Sequence, residues 1–181
     1  MIVLLLLARS TFAKLVPFYR YVAAVPNYHF YTDDPTEIGT TTINATGNAG
    51  YRYEGVACLI HSPGDPHPVD TVPLYRYVSL SSDDHFYTTN WEEIDLKPPN
   101  IAAGPWRMEK VAGYVYLTRE LDTVPLHRYV HPVNYVHLYT TNICEVNTLV
   151  LGATGKGGFK YEGIAGYVFL APPLKSMLNA C

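Results

Sequence analysis

Hydrophobic and polar positions return in three rounds along the chain. In Val72-Pro-Leu-Tyr-Arg-Tyr-Val78, Leu74, Arg76 and Val78 share one face and Tyr75 and Tyr77 the other, the two-residue period of a strand opened by proline. The same stretch reads Val16-Pro-Phe-Tyr-Arg-Tyr-Val22 and Val124-Pro-Leu-His-Arg-Tyr-Val130. A second short strand follows each: His29-Phe-Tyr-Thr32, His85-Phe-Tyr-Thr-Thr89 and His137-Leu-Tyr-Thr-Thr141. Asp34, Asn90 and Asn142 then stand three residues before Glu37, Glu93 and Glu145, the capping-box spacing, which predicts a single helical turn and a structural use for these carboxylates. A third element closes each round: Tyr51-Arg-Tyr-Glu-Gly-Val-Ala57, Trp106-Arg-Met-Glu-Lys-Val-Ala112 and Phe159-Lys-Tyr-Glu-Gly-Ile-Ala165. Glycines in and after it suggest a bulge or a tight turn between two strands.

The prolines at 17, 73 and 125 are spaced by 56 and then 52 residues. A fixed period is read before anything else, because one repeat cannot bury its own apolar face. Repeats over about 16–60, 72–116 and 124–170, each of three or four short strands, predict an all-β domain. Three repeats of ~54 residues with short helical turns in their loops match a β-trefoil, since closure removes sheet edges and three blades are too few for a propeller.

Composition adds to this in two places. Sixteen tyrosines among 181 residues favour half-buried strands. A formal charge of −3 supplies no basic patch, so nucleic acid is not an expected partner. The opening Met1-Ile-Val-Leu-Leu-Leu-Leu-Ala8 is too short to span a bilayer. With Thr11 and Ala13 before a cut at Lys14 it predicts a secretory leader over 1–13 and a single mature domain over 14–181; a buried first strand is the alternative. Secretion makes Asn44-Ala-Thr46 a glycosylation acceptor and permits a disulfide. Cys58 replaces a glycine of the other rounds inside a strand and is expected as a small buried thiol, leaving Cys144 to pair with Cys181.

The signature Pro-Leu-Tyr-Arg-Tyr, His-Phe-Tyr-Thr-Thr, Tyr-Glu-Gly-Val-Ala-Gly-Tyr-Val resembles a widespread repeat family of unknown function found in secreted bacterial and eukaryotic proteins. The likeness covers about residues 16–170. It implies a β-trefoil-like, extracellular unit, often beside secreted enzymes, and implies no activity. The chain departs from the pattern at Met108-Glu109-Lys110, where Tyr-Glu-Gly is expected, and at His127, where the other copies have tyrosine.

Candidate binding residues recur with the repeat: Arg20, Arg76 and Arg128; His29, His85 and His137; Tyr31, Tyr87 and Tyr139; Glu54, Glu109 and Glu162. As three ligand pockets they offer forked donors, acceptors and flat faces suited to sugar hydroxyls. As scaffold, Arg and Glu pair while His and Tyr satisfy buried backbone. Trp91, unrepeated at its helix start, is a further candidate as a stacking face for a sugar ring. The three histidines could meet around a zinc ion, but repetition alone accounts for them, so no metal or cofactor is expected. No Gly-x-Ser-x-Gly occurs and three like modules argue against one asymmetric catalytic site, so an enzyme is not expected. The expected function is a secreted, lectin-like carbohydrate-binding module. The alternative is an extracellular structural or protein-binding module, such as an inhibitor or matrix component, with an extracellular protein rather than a glycan as partner.

Overall fold

The computed structural model of the protein describes residues 13–24, 27–96 and 102–172. It is all-β, as the alternation predicts. The strands are β1 (Leu15–Ala23), β2 (His29–Thr32), β3 (Tyr51–His61), β4 (Thr71–Ser79), β5 (His85–Thr88), β6 (Ala102–Ala103), β7 (Trp106–Tyr116), β8 (Thr123–His131), β9 (Val136–Thr140) and β10 (Lys160–Phe169). All belong to one antiparallel sheet. β1 lies between β2 and β3, β4 between β5 and β7, and β8 between β9 and β10. These three units meet through their last long strands, at Phe169 opposite Leu59, Tyr167 opposite Tyr116 and His61 opposite Tyr114.

The strands are longer and fewer than the periodicity suggests. The aromatic–basic–x–Glu element and the apolar run after it form one continuous strand in each unit, with two bulges in place of a turn. In β3 the register slips twice, opposite Phe18/Tyr19 and Arg20/Tyr21, leaving Ala57 and Glu54 as the extra residues. Each first strand also begins two residues before its proline. Pro17 is tolerated because β2 pairs with β1 only from Tyr19 onward, so the missing N–H falls where β1 has one neighbour.

Single turns of 3₁₀ helix form at Pro35–Glu37, Trp91–Glu93 and Ile143–Glu145, where the caps predict them. Asp34, Asn90 and Asn142 accept from the backbone N–H two residues on. The reciprocal half of the capping box is absent: Thr32, Thr88 and Thr140 accept the cap residue's own N–H instead. Glu37, Glu93 and Glu145 are thereby released to point elsewhere.

Two kinds of core result. Each unit has its own outer cluster, such as Tyr21, Phe30, Ile38, Tyr51 and Tyr53 in the first. A shared central core draws matched residues from all three: Phe18, Leu74 and Leu126; Ile60, Val115 and Val168; Tyr31, Tyr87 and Tyr139. Cys58 lies fully buried in this core as a free thiol, with its pKa pushed up by burial. Asn44 is exposed, with φ +66. The leader expected over 1–13 lies, except for Ala13, outside the described residues, as does Cys181 of the expected pair with Cys144. Among the described residues no helix is long and apolar enough to cross a membrane.

The three central tyrosines form a closed hydrogen-bond cycle. The Tyr31 hydroxyl donates to the Tyr139 carbonyl at 2.7 Å and accepts the Tyr139 N–H at 2.9 Å. The Tyr139 hydroxyl does the same with the backbone of Tyr87, and the Tyr87 hydroxyl with that of Tyr31. The rings meet edge to face at 5.3–5.6 Å between centroids. All three side chains are fully buried.

Replacing Tyr87 with Phe removes one hydroxyl and strands a buried N–H and a buried carbonyl of Tyr31. At about 1–3 kcal/mol for each group, the loss should be on the order of 2–6 kcal/mol. Denaturant unfolding measures it, with exposed Tyr135→Phe as the control; a loss for Tyr87→Phe below about 1 kcal/mol would show that the cycle does not hold the units together.

Candidate functional site

The residues singled out by repetition gather at the seams between units, and each seam is built from an arginine and two carboxylates. Arg76 Nε lies 2.8 Å from Glu109 of its own strand pair. Its Nη1 and Nη2 donate to Glu37 of the preceding unit at 3.1 and 2.8 Å, a forked pair. Arg128 spans Glu162 and Glu93 in the same way, and Arg20 spans Glu54 and Glu145, which joins the third unit to the first. The carboxylate freed from each cap thus crosses to the next unit, and a threonine hydroxyl steadies it: Thr32 on Glu37, Thr88 on Glu93 and Thr140 on Glu145. Arg76 and Arg128 also lie over the rings of Phe30 and Phe86 at 4.8 and 4.9 Å.

Burial works to raise the carboxyl of Glu37. The hydrogen bonds from Arg76 and Thr32 and the charges of Arg76 and Lys110 outweigh it, bringing its pKa from 4.5 to about 2. Glu93 and Glu145 are lowered by the same balance, with Arg128 and Thr88 or Arg20 and Thr140 as donors, while at Glu109 burial is outweighed by a hydrogen bond from His85 and the charge of Arg76.

The histidines stand beside these groups. The Nε2 atoms of His29, His85 and His137 lie 3.9, 3.4 and 3.7 Å from Glu54, Glu109 and Glu162. All three rings are buried. Burial, with the charge of Arg20, lowers the pKa of His29 to about 3, so it is neutral. His137 has a partner that the other two lack: Asp84, fully buried, accepts the His137 N–H at 3.0 Å and approaches its Nδ1 at 2.6 Å. Tyr28 and Val136 stand at the positions matching Asp84. Among the described residues no group of three or more His, Cys, Asp or Glu is placed to hold a metal ion.

Two seams open outward as polar clefts. One encloses about 130 Å³ between the third and first units, lined by Arg20, Glu54, Gly55, Thr141 and Glu145 among others. Its counterpart between the second and third units encloses about 210 Å³, lined by Thr89, Glu93, Arg128, Glu162 and Gly163 among others. A recess of about 280 Å³ adjoins the first and adds His29 and Phe159. At the remaining seam Lys110 replaces the glycine and stretches across. Its Nζ reaches Asp33 at 2.8 Å and Glu37 at 3.2 Å.

The structure therefore divides the expected ligand residues. Arg20, Glu54, Arg128 and Glu162 line clefts, and His29 lines the recess. Arg76 and Glu109 sit at the seam bridged by Lys110, while His85 and His137 are buried beside Glu109 and Glu162. Tyr31, Tyr87 and Tyr139 correct the expectation of ligand contact, because their hydroxyls are spent on backbone and no part of them reaches solvent. Trp91 is half-buried and does not line the cleft formed by its neighbours Asn90 and Glu93. Sequence reasoning missed Glu37, Glu93 and Glu145 as seam residues, and Asp33, Thr89 and Thr141 altogether. The one available signal was Lys110, a basic residue where the pattern has glycine.

Replacing Arg76 with Met leaves Glu37 and Glu109 part-buried without their shared cation, and should cost about 3–5 kcal/mol in unfolding free energy. The pH dependence follows from the shifted groups. His29 is held neutral in the fold, so stability falls as pH drops below its ordinary 6.5 toward about 3. Glu37, depressed to about 2, adds a second loss below 4.5. Thermal melts from pH 7 to pH 3 should show both limbs, with His29→Gln reducing the upper one, to which His61 and His127, also lowered by burial, contribute the rest.

Two comparisons with known proteins find nothing: no curated protein and no solved structure matches the chain. A family model does match over residues 17–169, from the proline of the first unit to the last residue of β10, and its description is a domain of unknown function. The chain thus belongs to the DUF5648 family.

Proposed function

We propose that the protein is a secreted carbohydrate-binding module, lectin-like and not catalytic, in which three tandem repeats make a β-trefoil and saccharide is held at the seams. The observation that carries this reading is the pair of matched polar clefts between units. Each presents carboxylate, guanidinium, threonine hydroxyl and asparagine amide within one small, shallow opening. Such a set supplies donors and acceptors to neighbouring sugar hydroxyls at fixed angles. The carboxylate and guanidinium groups are held in place by their mutual pairing, so little ordering entropy is lost on binding. The short apolar run at residues 1–8, read as a leader, and the exposed acceptor Asn44 are what support an extracellular address. The step from a threefold repeat to a lectin is fold analogy, and the clefts are what give it residues.

One observation favours an extracellular protein partner as a second reading. Leu149, Val150 and Leu151 are exposed in succession after the third unit's helical turn.

Screening the mature chain against an immobilised glycan panel separates the two. The carbohydrate reading expects capture that free saccharide competes away, with two sites per chain. Absence of binding to every glycan, with the fold intact by circular dichroism, overturns it.

A further inference from the structure

The three seams are equivalent in construction, and one of them is occupied by part of the protein itself. At the seam between the first and second units the ammonium of Lys110 lies against Asp33 and Glu37. At the other two seams the position of Lys110 is held by Gly55 and Gly163, and there the clefts are open. These glycines sit at φ +127, a conformation side chains rarely adopt, and a Cβ at Gly163 would meet nothing within 4 Å. The acceptor side of the seam persists without the lysine: Glu93 and Glu145 match Glu37, and Thr89 and Thr141, at the repeat position of Asp33, line the two clefts.

Charge agrees with this. Each open cleft sets two carboxylates against one guanidinium, Glu54 and Glu145 against Arg20, and Glu93 and Glu162 against Arg128. One negative charge is left over at the second; at the first, Arg52 also reaches Glu54 at 3.3 Å from the rim and offsets it. Beside the first of them, His29 is nine-tenths buried with its Nδ1 unpartnered.

We infer that the two open clefts bind a primary ammonium group, and that their ligand is an amino sugar carrying a free amine, with Lys110 as a built-in counterpart of that ligand at the third seam. The ammonium is held by the Glu93 or Glu145 carboxylate and accepted by the neighbouring threonine hydroxyl, as the Lys110 ammonium is held by Glu37 and Asp33. N-acetylation of the sugar removes the charge and leaves a bulkier group at the cleft floor. The choice of a sugar over another amine rests on the carbohydrate-binding reading above.

Titration calorimetry on the secreted protein, with the free-amine glucosamine disaccharide, its N-acetylated form and Nα-acetyl-lysine amide as probes, tests this. Expected are two sites per chain for the free-amine disaccharide and at least tenfold weaker binding of the acetylated one. Lys110→Gly, which restores the residue of the other two seams, should raise the count from two to three. Thr89→Asp, which copies Asp33, should tighten one site severalfold, a gain that misfolding cannot produce. Equal affinity for the two disaccharides overturns the ammonium inference while leaving the carbohydrate reading standing. Binding of the lysine amide with neither disaccharide overturns the amino sugar as the ligand and leaves an ammonium site that takes another amine. Free-amine binding that neither variant alters, with both variants melting as folded proteins, overturns the placement at the seams.

Discussion

The rest of the structure depends on three tyrosine hydroxyls that each satisfy a neighbour's peptide group. In the centre of the molecule Tyr31, Tyr87 and Tyr139 have no access to water, and the backbone groups beside them lie at the ends of short strands with no further strand to pair. An unpaired buried peptide is costly, and each hydroxyl removes two such groups at once. Because the donor and the acceptor always belong to different units, the arrangement is complete only when all three are present. No unit can satisfy its own centre, which is the same reason that no unit buries its own apolar face.

The seams extend this logic outward. Each arginine is shared between its own unit and the carboxylate of the preceding one, so the ion pairs close a second ring around the first. A buried arginine with two carboxylates is weak evidence for added stability, since desolvation offsets much of the attraction, but it strongly penalises any other docking of the units. The seams differ in charge balance: Glu93 and Glu162 share the single guanidinium of Arg128, whereas Glu54 is paired with Arg52 as well as Arg20. Gly55 and Gly163 keep two of the mouths open; where Lys110 stands, the chain fills the seam with its own ammonium. The scaffold and the candidate site are therefore the same set of residues, with only part of their surface available.

The capping residues show how far local reading reaches. Asp34, Asn90 and Asn142 do what their position predicts, because an N-cap needs only the two peptides after it. The glutamates three residues on do not, although their spacing was right. Thr32, Thr88 and Thr140 had already taken the cap amides, and a cation from another unit was within reach. Spacing established that a carboxylate was there; only the closing of the units established its partner. His127 is a milder case: its Nδ1 lies 3.1 Å from the Tyr161 hydroxyl, so a departure from the repeat is absorbed by a neighbour in the same unit.

By itself the sequence determined the all-β class, the first two strands of each round, the single helical turns and the matched apolar set, since each follows from the alternation and turn chemistry of a few adjacent residues. It also marked Arg20, Arg76, Arg128 and their own-unit glutamates as a repeated group. Tertiary structure decided what those groups face. The contacts that settle it join residues 39, 35 and 125 positions apart in the chain. No local pattern encodes which unit supplies the second carboxylate, that the tyrosines turn wholly inward, or that a lysine in one round occupies the space its counterparts leave open. Those outcomes depend on three surfaces meeting at once, and that meeting is set by burial of the whole.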